Sequence, residues 1–222
     1  PPRSTLFPYT TLFRSKDSFN NEYLAPGGAR VSIPPSLLIS AIGVVPDSGT
    51  VPGSDFKAAG DPIYLVGRPE PSFGGSIYAE LFGAPAGAAP AVPAPAPRAR
   101  ETYLALHRSI AAGRVRACHD LSDGGLAAAV AEMCAGGRIG AALTVDADSP
   151  TVAMFGETNG CLAVEVDAAA ADDFEKAMAG VPIARIGATT PSGNLDIIIG
   201  PSTASIPVDE LVKAHAGAGS ER

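Results

Sequence analysis

The chain has 222 residues, 46% of them hydrophobic and 6% aromatic with no Trp, and carries a formal net charge of −7. That length and apolar share allow one large domain, or one domain and part of a second, each around a real core. The acidity argues against a nucleic-acid surface, and no run of about 18 apolar residues offers a membrane span. Phosphorylated small molecules remain open as ligands, because they need only local donors or a metal. Cys118, Cys134 and Cys161 have no C-x-x-C spacing. They read as buried thiols of a reducing compartment, the cytoplasm, rather than as a zinc site or a disulfide framework.

Residues 1–15 do not match the rest of the chain. They repeat Thr-Leu-Phe at Thr5 and Thr11, lack the continuous apolar core of a signal peptide, and make a poor helix. Back-translated, residues 5–15 match a common sequencing adapter. The segment is expected to be a translated library adapter joined to a truncated gene, with few tertiary contacts. Lys16-Asp17-Ser18 opens the next stretch, which runs to Asn21-Glu22-Tyr23. A lysine, an aspartate and a serine in sequence can serve phosphate, metal and substrate hydroxyl, and equally a solvated turn. Residues 37–45 form a near-continuous apolar run rich in β-branched residues and predict a buried strand. A turn-rich connector covers residues 47–60, where a domain boundary is expected.

Residues 62–67 predict a second buried strand, and Phe73-Gly74-Gly75-Ser76 predicts a tight turn into a short helix with Ser76 as N-cap. Residues 84–97 alternate Ala and Pro, a semi-rigid linker. An amphipathic helix is expected over residues 98–114, with Tyr103, Leu104, Leu106, Ile110 and Ala111 as its apolar stripe and His107 at the surface. Residues 115–118 read as a strand ending at His119-Asp120. Residues 126–134 read as an alanine-rich helix stopped by Gly136-Gly137. Ser122 or Asp123 is the expected N-cap between them, and Gly124 and Gly125 allow a turn that aims N–H groups outward. A polar strand end feeding a glycine-assisted helix start suits an anion, and a carboxylate beside a phosphate suits Mg²⁺. An ordinary capped junction fits the same spacing. Further strands are expected at residues 139–145, 162–166, 183–187 and 195–199, with helices at 168–179 and 207–214. The fold class is α+β, an αβ sandwich, without the glycine fingerprints of the Rossmann or Walker folds.

His119-Asp120-Leu121-Ser122-Asp123-Gly124-Gly125-Leu126, followed by Ala131-Glu132-Met133, resembles the H-D-x-S-D-G-G-L…A-E-M signature of the phosphoribosylformylglycinamidine synthase family. This family lies within the aminoimidazole ribonucleotide synthetase superfamily. The resemblance continues in register. Residues 16–23 are similar to a G-K-D-S-x-x-N-E segment, residues 73–76 to a G-G-S segment, and residues 154–161 to L-F-x-E-x-x-G-R, with Cys161 where the pattern has Arg.

The resemblance implies a synthetase-type C-terminal domain at residues 56–212 and a tail at 213–222, preceded at 16–55 by a remnant of the N-terminal domain. It implies an ATP-dependent ligase of purine biosynthesis. Formylglycinamide ribonucleotide, glutamine-derived ammonia and ATP give formylglycinamidine ribonucleotide, ADP and phosphate, with ATP activating the formamide oxygen. The glutaminase is a separate domain or subunit, and no nucleic acid or membrane is a partner. In such enzymes the unit occurs twice, one half running the reaction and the other holding an auxiliary nucleotide, and this signature marks the second half. Asp120 is the implied Mg²⁺ ligand. Ser122, Gly124, Gly125, Lys16, Asp17 and Ser18 are the implied phosphate and nucleotide residues. The isolated chain is expected to be inactive as a synthetase. Two other readings are a different superfamily enzyme and a nucleotide-holding structural module.

Overall fold

A computed structural model describes residues 12–14, 22–32, 40–45, 47–71, 73–84, 96 and 98–217. Lys16, Asp17, Ser18 and nearly all of the 84–97 linker lie outside the described residues. The chain divides into two units, Pro1–Gly49 and Thr50–Arg222.

In the first unit, β1 (Leu12–Arg14) pairs antiparallel with β4 (Ser40–Ile42), and β2 (Glu22–Leu24) with β3 (Arg30–Ser32). Gly27 and Gly28 both take positive φ in the turn that reverses β2 into β3, a conformation glycine adopts without a side-chain clash. Of residues 1–15 only Leu12–Arg14 is described, an extended stretch that pairs with Ser40–Ile42. One expectation changes here: the apolar run at 37–45 is not a buried strand in its described part. Only Ser40–Ile42 is a strand, and Ile42, Val44 and Val45 are all exposed, Val44 at 90%. Apolar composition signals burial only where a second layer covers the strand, and among the described residues β4 pairs with the three residues of β1.

The second unit is built on a seven-stranded sheet in the order β11-β10-β7-β9-β5-β8-β6. Its strands are β5 (Pro62–Val66), β6 (Val115–Asp120), β7 (Gly140–Val145), β8 (Leu162–Val166), β9 (Ile183–Thr190), β10 (Asn194–Ile199) and β11 (Ser202–Pro207). Only β7 and β10 run parallel; the other neighbours are antiparallel. The helices are α1 (Ile77–Phe82), α2 (Ala99–Ala111), α3 (Gly125–Gly137), α4 (Pro150–Phe155), α5 (Ala171–Ala177) and α6 (Val208–Gly217).

Period-two alternation along the central strands supplies two cores. Ile63 and Leu65 of β5 and Ala163 of β8 face a core shared with Leu126, Val130 and Met133 of α3, Met154 of α4 and Val208 of α6. Tyr64, Val66, Val164 and Val166 face the opposite core, with Leu106 of α2 and Phe174 of α5. Each fully buried Leu, Val or Phe contributes about 1.5–3 kcal/mol. The architecture is an αβ sandwich with helices on both faces of a mixed sheet, the α+β class expected.

Several local readings are corrected. The buried face of α2 is Thr102, Leu106 and Ser109, while Tyr103 and Leu104 are exposed. Gly136 and Gly137 do not stop α3 but lie within its last turn. A Cβ on Gly136 would stand 2.8 Å from the Asp55 Cβ, and one on Gly137 would collide with the Phe56 carbonyl. The pair admits the 55–56 backbone, and Phe56 N–H donates to the Met133 carbonyl. Arg138, at φ 55°, makes the left-handed C-cap instead. The expected 168–179 helix begins as a 3₁₀ turn, Ala168–Ala170, with Asp167 accepting from Ala169 N–H before α5.

Candidate functional site

The candidate site is the junction from β6 to α3. β6 delivers His119 and Asp120 at the sheet edge, and Leu121 then turns inward, buried, with its N–H donated to the Cys161 carbonyl. Ser122 and Asp123 are exposed. Neither is the N-cap of α3: Gly124, at φ 79°, occupies that position with no side-chain cap of its own. A carboxylate from elsewhere in the chain takes over, since Gly124 N–H donates to Glu157 Oε1 at 2.8 Å. Gly125 N–H donates to the Ser122 carbonyl at 3.0 Å.

The two glycines therefore shape the turn, and both their N–H groups are engaged within the protein. Gly125 is required for a second reason. Its φ is +64°, and a Cβ there would stand 2.9 Å from the carbonyl oxygens of both Met154 and Gly156. The start of α3 thus lies directly on the backbone that leaves α4.

His119 and Asp120 are held differently. His119 is largely covered, its Nε2 2.8 Å from Glu132 Oε2 and its Nδ1 2.8 Å from the Asp120 main-chain oxygen. Glu132 lies on α3, so the Glu of the A-E-M run ties the helix back to the strand end. The Asp120 side chain is 70% exposed, with Oδ1 3.5 Å from His119 Nδ1. An accessible carboxylate beside a hydroxyl, Ser122, is a hard-oxygen donor set of the kind Mg²⁺ accepts when phosphate and water complete its shell. It is not an all-protein cage. Among the described residues no three His, Cys, Asp or Glu cluster as a metal-ion site.

An apolar groove of about 270 Å³ adjoins the turn, lined by Ile77, Tyr78, Leu81, Phe82, Phe155, Gly124 and Ala128. Its aromatic rings touch in sequence, with centroids 5.2 Å apart for Tyr78 and Phe82 and 5.4 Å for Tyr78 and Phe155. Ser76 caps α1 as expected, accepting from Ala79 N–H. Ile77 N–H donates to the same Glu157 oxygen at 2.9 Å. Glu157 belongs to the Met154–Gly160 motif, but nothing in local spacing shows that it joins residues 33 and 80 positions away. Cys161, where the family pattern has Arg, is buried, and burial raises its thiol to about 11. This chain therefore places no cation at that position.

The chain belongs to the family described as AIR synthase related protein, C-terminal domain, which matches residues 58–200. Among particular proteins, it is 37% identical over 199 residues to phosphoribosylformylglycinamidine synthase subunit PurL of Chelativorans sp. (strain BNC1), covering 84% of this chain and 26% of that one. The solved structure of T. maritima PurL complexed with FGAR superposes with a TM-score of 0.63 at 16% identity, covering 79% of this chain and 31% of that one. T. maritima PurL complexed with ADP gives 0.60 at 18% identity, covering 79% and 29%. At such identities the structures establish the fold. The chain spans about a quarter of the length of the curated relatives it matches.

Proposed function

We propose that this chain is part of an ATP-dependent ligase of purine biosynthesis. That enzyme converts formylglycinamide ribonucleotide, glutamine-derived ammonia and ATP to formylglycinamidine ribonucleotide, ADP and phosphate. Within it the β6–α3 junction faces a nucleotide's phosphates. The observation that carries this reading is the placement of His119 to Gly125. The motif that resembles the synthetases lies at a strand end feeding a helix start, with Asp120 and Ser122 presented to solvent and the residues around them fastened down.

Asp120 would hold Mg²⁺ together with phosphate oxygens, and the ion would supply charge neutralisation for the phosphates. Ser122 offers a hydroxyl donor, and Gly124 and Gly125 give the turn its shape. His119, braced by Glu132, orients the main chain at Asp120. Phosphoryl chemistry of this kind depends on positioning and charge rather than on a covalent nucleophile. The role fits a held auxiliary nucleotide better than turnover, because the His119-to-Gly125 motif resembles the form that marks the auxiliary half in such enzymes. Lys16, Asp17 and Ser18 are proposed as further nucleotide-side groups on the resemblance alone. A glutaminase domain or subunit is the proposed partner. The cytoplasm is the proposed location, supported by Cys118, Cys134 and Cys161, all free thiols. Among the described residues no helix is long and apolar enough to cross a membrane.

Calorimetric titration of the chain with ADP, with Mg²⁺ and then with chelator, tests the reading. Binding that requires Mg²⁺ is the expected result. Binding indifferent to Mg²⁺, or none, would overturn it.

A further inference from the structure

We infer that Glu157 is the positioning residue of this nucleotide turn, an inference that deepens the proposed function and rests on it for the identity of the ligand. One carboxylate oxygen, Glu157 Oε1, accepts from Gly124 N–H at 2.8 Å and from Ile77 N–H at 2.9 Å. Gly124 begins α3 and the turn that carries Ser122, while Ile77 begins α1, the aromatic wall of the adjoining groove. The two helix starts come from distant parts of the chain, and one carboxylate oxygen accepts an N–H from each, a shared attachment of the stronger, charge-assisted kind.

The support of Glu157 is itself rigid. Gly156 admits the Glu70 carbonyl, 3.0 Å from where a Cβ would be. Thr158, buried, accepts from Glu70 N–H at 2.8 Å. Thr158 is thus bonded to Glu70 and Gly156 packs against its carbonyl, so the backbone on both sides of Glu157 lies against Glu70. The Gly124 N–H is given to Glu157 and not offered to phosphate. Glu157 therefore fixes where Ser122 and Asp120 stand without touching the ligand.

The test compares Glu157→Ala with Glu157→Gln, which keeps the accepting oxygen, in the whole chain. Backbone amide spectra come first. In the Ala variant the Gly124 and Ile77 amide protons should shift upfield together while those of Leu65 and Val164 in the sheet stay in place, and Gln should restore most of the shift. Titration with Mg·ADP comes second. The Ala variant should bind about tenfold more weakly, the scale of one lost bond to a charged group, and Gln should recover to within about threefold.

Unmoved Gly124 and Ile77 amides in the Ala variant would overturn the inference. So would unchanged Mg·ADP affinity in a variant whose amides had moved. If the unmodified chain bound no Mg·ADP, the proposed function would fail while the amide spectra still decided whether Glu157 sets the turn.

Discussion

Glu165 is an acidic residue buried within the sheet, one strand in from its β6 edge, and its removal gives a worked stability prediction. It is fully buried on β8, opposite Ile63 of β5 on one side and Ala117 of β6 on the other. Its Oε2 accepts from Lys57 N–H at 2.8 Å and its Oε1 from Ala58 N–H at 3.0 Å. Glu165→Ala leaves both donors without their acceptor, at about 1–3 kcal/mol each. It also opens a cavity, offset in part because a carboxylate no longer has to be desolvated. The expected loss is about 3–5 kcal/mol, or roughly 8–15 °C in Tm for a domain of this size. Glu165→Gln keeps one oxygen for the two N–H groups and should cost about 1 kcal/mol or less.

Burial, then the neighbouring Asp61, hold the Glu165 carboxyl above its ordinary value against the lowering pull of the Ala58 and Lys57 N–H groups. Because the folded state holds this proton more tightly than the unfolded chain, the linked stabilisation is complete below the ordinary value of 4.5. It is lost as pH rises through the raised folded value. Urea unfolding followed by circular dichroism at a series of pH values checks both points. Wild-type stability relative to Glu165→Gln should fall as pH rises from about 4 toward neutrality. An Ala variant within about 1 kcal/mol of wild type, or a Gln variant as damaged as Ala, would refute the reasoning.

Gly125→Ala should destabilise by about 1–3 kcal/mol, since the new methyl meets the Met154 and Gly156 carbonyls at a positive φ; thermal unfolding measures it. The thiols should alkylate slowly at neutral pH, because burial raises Cys134 to about 12 and Cys118 to about 11; rapid labelling of the folded chain would contradict this. Tyr64, whose hydroxyl donates to Glu175 at 2.7 Å, is pushed to about 12 chiefly by burial and then by Glu175. Its contribution to stability should persist below the ordinary value of 10.0 and fade as pH rises through about 12, which ultraviolet titration against Tyr64→Phe reads directly.

Much of the second unit is legible because its signals are local. The apolar run of β5, the strand–glycine–alanine sequence of β6 and α3, and the Ser76 cap each state their structure within a few residues. β11 is not legible. Its Ser202-Thr203-Ala204-Ser205 is exposed and has no alternation, and it is a strand only because it pairs along β10. α4 is short enough for its periodicity to be lost, and its one local sign is the Ser149-Pro150 start, where Ser149 accepts from Val152 N–H. The apolar stripe of α2 misleads because Thr102 and Ser109 are buried in place of larger apolar neighbours.

At the candidate site, the order of Asp120, Ser122 and the glycines is readable from the motif. What each N–H does is not, because the partner of Gly124 lies on a loop after α4. Nor can the sequence show that Gly136 and Gly137 serve the Asp55–Phe56 backbone, a contact made across roughly 80 residues.

The central claim is that Asp120 binds Mg²⁺ with a nucleotide's phosphates. Calorimetry of Mg·ADP with the chain and with Asp120→Asn tests it most directly, since the substitution keeps the shape and removes the charge of a side chain that is 70% exposed. The expected result is unchanged thermal unfolding and an affinity at least about tenfold weaker in the variant. Equal Mg·ADP affinity in the two proteins would leave Asp120 an ordinary strand-end residue and contradict the claim.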